Sequence, residues 1–184
     1  MSDRVDALRS RWLLLRHRQG DRSALAGLVS LWERPLLYYL RRLVDSEEDA
    51  WDALQETWLI VVRELPRLRD DAAFPAWAYT IARRVALRTR RGSRPTRELP
   101  DDDHPDAPVA GGQEPSLAGF EPLDLHRGLA WLGLAHRDVL TLHVLEGFSI
   151  AEIAAITGVA EGTVKSRLFH AKRAMRSLLE GGSK

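Results

Sequence analysis

The 184-residue chain contains no cysteine. Disulfides, thiolate nucleophiles and cysteine-bound zinc are therefore excluded. No apolar run approaches the length that a bilayer-spanning helix needs. The stretch from Trp12 to Leu15 is too short for a signal-peptide core and has arginine on both sides. The chain is expected to be cytoplasmic. It also has little net charge, since 27 basic and 26 acidic residues leave +1. That sum averages basic and acidic segments, so their distribution along the chain matters more. Alternating strand patterns, an Asn-Gly hairpin and internal repeats are all missing. Six histidines, at 17, 104, 126, 136, 143 and 170, are scattered without metal-ligand spacing, and there is no phosphate-binding glycine loop. An enzyme is not expected, nor a metal site or a cofactor.

What is present is helical patterning. Between Asp45 and Leu65, Trp51, Leu54, Trp58, Val61, Val62 and Leu65 recur at helical spacing, and Pro66 ends the run. Leu25, Leu28, Val29, Trp32, Leu36 and Leu40 form an earlier stripe, with a kink expected at Pro35. Phe74, Trp77, Ala78, Ile81, Ala82 and Val85 form a third. The predicted fold class is all-α.

Residues 92–121 read differently. Five prolines (95, 100, 105, 108 and 115), the run Asp101–Asp103 and a Gly-Gly pair cannot hold a helix or pack a core. This segment predicts a flexible linker between residues 1–91 and 122–184. Each half is small enough to be marginally stable alone, so docking onto a larger partner fits both.

The second half carries a helix-turn-helix pattern. Ser149 and Glu152 form a capping box, Gly158 suits the turn, and a second helix begins near Glu161. Val164, Leu168, Ala171, Met175 and Leu178 form its expected buried stripe. Lys165, Ser166, Phe169, His170 and Arg173 then share the opposite side, which would enter a major groove. Phe169 suits a thymine methyl. A helical hairpin with a merely solvated basic face has the same pattern.

In the first half, Arg84, Arg88 and Arg91 fall at i, i+4 and i+7, with Arg83, Leu87 and Arg90 beside them. Like charges at i,i+4 repel, and phosphates would supply the missing counter-charge. A membrane-surface helix would need bulky apolar residues free to insert, and here the core needs them. On the preceding helix, Asp49, Asp52, Glu56, Ile60 and Arg63 lie opposite the tryptophans with Gln55 adjacent. That face reads either as a protein-docking surface or as a solvated one.

These parts together resemble an extracytoplasmic-function (ECF) sigma factor, the small two-domain class of bacterial RNA polymerase initiation subunit. Gln19-Gly-Asp-Arg-Ser-Ala-Leu25 looks like the beginning of region 2. Asp49-Ala-Trp-Asp-Ala-Leu-Gln-Glu-Thr-Trp58 resembles the family's Asp-Ala-Glu-Asp-Leu-Val-Gln-Glu-x-Phe signature. Phe74-Pro-Ala-Trp-Ala-Tyr-Thr-Ile-Ala-Arg83 looks like its Phe-x-x-Trp-Leu-x-x-Ile-Ala stretch. Gly162-Thr-Val-Lys-Ser-Arg167, followed by Ala171-Lys-Arg173, resembles the region 4 helix-turn-helix. The resemblance covers nearly the whole chain.

The resemblance implies a sigma region 2 domain over 1–91 and a region 4 domain over 122–184. The implied partners are core RNA polymerase, through its β′ clamp helices and β flap, promoter DNA, and an anti-sigma factor, with no membrane insertion. Asp49, Asp52, Gln55 and Glu56 would bind the clamp helices. The loop Arg67–Ala73 and the helix after it would open and read the −10 element, with Trp77, Tyr79, Arg83, Arg84, Arg88 and Arg91 holding the displaced strand. Lys165, Ser166, Phe169, His170 and Arg173 would read the −35 element. The linker would thread toward the RNA exit path, with Asp101–Asp103 mimicking nucleic acid. The family usually has Asn where this chain has Arg84, and often Asp where it has Arg88. Trp51 stands where Glu is common, and His170 where Arg is common. Arginine donates only, so Arg84 predicts weaker base discrimination and more phosphate binding. An ordinary helix-turn-helix regulator, with residues 1–91 as a sensor or dimerisation domain, is the alternative. It leaves the Gln-Glu signature and the arginine stripe unexplained.

Overall fold

The computed structural model describes residues 2–93, 115–117 and 122–181. Most of the expected linker, including Asp101–Asp103, lies outside the described residues. The described residues form helices α1 (Ser2–Arg18), α2 (Ser23–Leu43), α3 (Glu47–Glu64), α4 (Phe74–Ser93), α5 (Pro122–Leu129), α6 (Leu134–Leu140), α7 (Ile150–Thr157) and α8 (Glu161–Gly181), with no strand among the described residues. The chain divides into two compact units, Met1–Pro95 and Thr96–Lys184.

In the first unit α1 packs on α2, α2 on α3 and α4, and α3 on α4. The helix ends follow from local chemistry. The Asp21 carboxylate accepts from the Ser23 N–H at 2.9 Å and from its hydroxyl at 2.6 Å, organising the turn into α2. Ser46 caps α3 by accepting from the Asp49 N–H at 3.0 Å, and Glu47, Glu48 and Asp49 face the positive end of the helix dipole. Pro66 ends α3 in a 3₁₀ turn, Leu65–Arg67. Pro35 lies inside a continuous α2, where its missing N–H forfeits one ladder bond.

The α3 core stripe is rotated from the expected one. Ala50, Ala53, Leu54, Thr57 and Val61 are buried, whereas Trp51 and Val62 are exposed. α4, which packs against α1, α2 and α3, also buries small residues, Ala78, Ala82 and Ala86. Much of the buried face of α3 is made of small residues, and a pattern read from large apolar side chains passes over them. Thr57 is tolerated on the buried face of α3 because its hydroxyl donates back to the Ala53 carbonyl at 2.7 Å.

In the second unit α5, α6 and α7 all contact α8. The Arg137 guanidinium donates to the Ala130 and Leu132 carbonyls at 3.2 and 2.9 Å, closing the α5–α6 turn. Gly128 of α5 lies against Met175 of α8 so closely that a Cβ there would meet the Met175 sulfur. Val164, Leu168, Ala171 and Met175 are buried as the spacing predicts, but Leu178 is exposed. The stripe ends one turn early.

Candidate nucleic-acid interface

The helix-turn-helix is built as its sequence requires. Ser149 Oγ accepts from the Glu152 N–H at 3.3 Å, and the Glu152 carboxylate accepts from the Ser149 N–H at 2.9 Å. Both hydrogen bonds of the capping box are present at the start of α7. Gly158 ends α7 at φ +75°, a left-handed conformation that a side chain would strain. α8 then presents Lys165 and Arg173 to solvent. Phe169 and His170 are half-buried, with the two rings edge-on at 5.5 Å and His170 6.4 Å from His136 of α6. Ser166 does not join this face, because its side chain is buried. A helix contacted by three neighbours is covered over more than one stripe, and a single-face period cannot register that.

In the first unit, α4 carries the arginines. Arg84, Arg88 and Arg91 are exposed, and Arg83 and Arg90 are half-buried. Their surroundings differ. Arg90 donates to the Leu43 carbonyl at 3.3 Å and lies 3.9 Å from Asp45, with its side chain only 10% exposed. It ties α4 to the end of α2. Arg88 is ion-paired to Glu56 of α3. Arg84 and Arg91 make no ion pair with another described residue. The counter-charge that phosphate alone was expected to supply is thus partly internal.

Tyr79 corrects the expected −10 set. It is fully buried, its ring 5.0 Å from Tyr39 and 6.3 Å from Trp32, and so cannot stack on a base. α4 packs against α1, α2 and α3, which widens its buried face beyond the expected stripe to include Tyr79 and Ala86. Trp77 is half-buried beside Phe74 at 5.9 Å. The loop before α4 is pinned by Arg18, which donates to the Leu68 carbonyl and to Asp71, each at 2.6 Å. Nothing in the spacing of the sequence marks Arg18 for that role.

On α3, Asp52 and Gln55 are exposed, and Asp49 and Glu56 are half-buried. Asp49 also accepts from the Ser46 hydroxyl at 2.7 Å. Leu59 is 73% exposed, and Trp51 and Val62 share its side of the helix at spacings of eight and three residues. Spacing places Trp51 and Val62 inward, yet both are exposed, because small residues take up much of the buried face of α3. α1 carries a second exposed apolar stripe, Leu8, Trp12 and Leu15, with the Arg16 guanidinium 4.5 Å over the Trp12 ring. Among the described residues there is no metal-binding cluster and no helix long and apolar enough to cross a membrane.

Comparison with known proteins places these surfaces in context. Residues 28–96 match the family described as Sigma-70 region 2, and residues 125–175 match Sigma-70, region 4. The ECF RNA polymerase sigma factor SigL of Mycobacterium tuberculosis is 35% identical over 144 residues, covering 77% of this chain and 81% of that protein. SigF of Caulobacter vibrioides, also an ECF RNA polymerase sigma factor, is 35% identical over 166 residues, covering 89% of each chain. The solved structure of CnrH in complex with the cytosolic domain of CnrY has the same fold. Its TM-score is 0.69 at 24% identity, covering 95% of this chain and 99% of that one.

Proposed function

The chain belongs to the ECF sigma factors of RNA polymerase, and from that membership we propose how its surfaces divide the work. It binds core RNA polymerase and directs promoter-specific initiation, recognising −10 and −35 elements and helping to melt the duplex. The protein acts in the cytoplasm and carries no active site of its own; polymerase supplies the chemistry. The observation that carries the assignment of surfaces is that one chain holds both an exposed arginine stripe on α4 and a capped helix-turn-helix.

Residues 1–91 bind core polymerase and the −10 element, residues 122–184 bind the −35 element, and 92–121 links them. Asp49, Asp52, Gln55 and Glu56 engage the β′ clamp helices, and the exposed Leu59 and Val62 supply the apolar contact that a polar rim surrounds. On α4, Arg84 and Arg91 hold backbone phosphates of the opened strand, with Arg83 and Arg88 beside them. The part-exposed edge of Trp77 lies against its bases. On α8, Lys165 and Arg173 position the helix on phosphates. Phe169, braced by His170, offers its edge to a thymine methyl in the major groove. Tyr79 and Ser166 take no part. The second unit also meets the β flap, and an anti-sigma factor covers these surfaces when the protein is held inactive.

Reconstitution tests this reading. Core polymerase plus the protein should give promoter-dependent transcripts that core alone does not. A protein that binds promoter DNA but never assembles with core would be an ordinary helix-turn-helix regulator, and the proposal would fall.

A further inference from the structure

Two residues assigned to different partners hold each other in the free protein. Glu56 lies on the α3 face that meets polymerase, and Arg88 lies in the α4 stripe that meets DNA. Their side chains form one ion pair across the α3–α4 seam. A carboxylate engaged by Arg88 is not available to polymerase, and a guanidinium engaged by Glu56 is a weaker phosphate ligand. Neither group can serve its own partner fully while it serves the other.

We propose that the Glu56–Arg88 pair is a coupling device that mutes DNA binding by the free protein and releases Arg88 when core polymerase takes Glu56. The inference rests on the reading of α3 as the polymerase face and α4 as the −10 face. Three features support it. First, the neighbours of Arg88 on the stripe, Arg84 one turn before it and Arg91 three residues after it, are cations, so its release concentrates positive charge on the DNA face. Second, the pair is not part of the core: the side chains are 62% and 42% exposed, so it can open without unfolding anything. Third, Arg90 on the same helix, also ion-paired, is 10% exposed and bound to a backbone carbonyl, the arrangement of a permanent anchor. Arg88 has the opposite character, a pairing that water and ions can reach.

Coupling of this kind is reciprocal: whatever factor polymerase contributes to DNA affinity, DNA contributes to polymerase affinity. An exposed ion pair limits that factor to about two- to five-fold. The pair thus adjusts the order of events and does not act as an all-or-none switch. Free protein is discouraged from occupying DNA, and holoenzyme is favoured.

The test uses the full chain, a labelled thymidine oligonucleotide at low salt, and core polymerase. The oligonucleotide reports backbone binding without requiring a known promoter. Glu56→Gln should tighten oligonucleotide binding about two- to five-fold, and it should steepen the dependence of log affinity on log salt by about 0.7, one added phosphate contact on a single strand. In an Arg88→Gln background the same change should do nothing. Arg88→Gln alone should tighten assembly with core polymerase by a similar factor, because it frees Glu56. Unchanged oligonucleotide affinity in Glu56→Gln, or unchanged core affinity in Arg88→Gln, would overturn the proposal. If the wild-type protein neither assembles with core nor supports transcription, the underlying functional reading fails. If it does both while the variants bind as wild type, only the coupling fails.

Discussion

Replacing Tyr79 with alanine separates a core residue from a DNA contact. Its side chain is fully buried between Tyr39 and Trp32, with ring centroids 5.0 and 6.3 Å away. Removing a large buried aromatic costs about 3–5 kcal/mol through lost transfer energy and the cavity left behind. A unit of this length has roughly 5–14 kcal/mol of stability in all, so the loss is a large fraction of it. At about 4–8 °C per kcal/mol, the midpoint should fall by at least about 12 °C. Tryptophan fluorescence during thermal or urea unfolding reads this unit well, because Trp12, Trp32, Trp51, Trp58 and Trp77 lie in it and only Trp131 lies outside. Trp77→Ala, at a part-exposed position, should cost much less stability and should weaken single-strand binding more. A Tyr79→Ala protein that unfolds at the wild-type midpoint but loses DNA affinity would refute the assignment.

Other outcomes follow from single features. The Asp21 carboxyl is held below the usual carboxylate range, first by the Ser23 hydroxyl, then by the Ser23 N–H, with Arg16 adding a favourable charge. A depressed folded-state pKa stabilises above the unfolded value and loses that stability as pH falls through the folded one. Asp21→Asn should therefore lower the midpoint of the first unit at neutral pH, and the difference from wild type should vanish below the usual carboxylate range. Gly128→Ala should destabilise the second unit by about 1–3 kcal/mol by driving a methyl into Met175, measured by circular dichroism, and Met175→Ala in that background should recover part of the methyl clash. Ser149→Ala should cost about 1 kcal/mol by removing the capping box of α7, measured in the same way. Arg84→Asn should sharpen the −10 base preference and flatten the salt dependence of binding in a competition assay, and an unchanged preference and slope would count against phosphate binding by Arg84.

The legible parts of this chain are those fixed by local chemistry. The all-α class, the Ser149–Glu152 box, the Gly158 turn and the outward arginines 84, 88 and 91 were all readable, because capping and helical period depend on residues a few positions apart. What failed depended on neighbours distant in sequence. Trp51 and Val62 look like core residues until Ala50, Ala53, Leu54, Thr57 and Val61 are seen to make up the buried face of α3. Tyr79 and Ser166 look exposed until several helices are packed around one. The Arg88–Glu56 and Arg18–Asp71 pairs join residues 32 and 53 positions apart, a separation that no periodicity encodes.

Mapping transcript 5′ ends in cells that express the chain tests the central claim most directly. The account predicts new start sites that share two upstream sequence blocks, at −10 and −35. Lys165→Ala should weaken use of the −35 block while leaving the −10 block intact, and Arg84→Asn should alter the −10 block alone. The absence of new start sites, or altered transcript levels without a shared pair of blocks, would contradict a chain that reads promoters with two separate units for one polymerase.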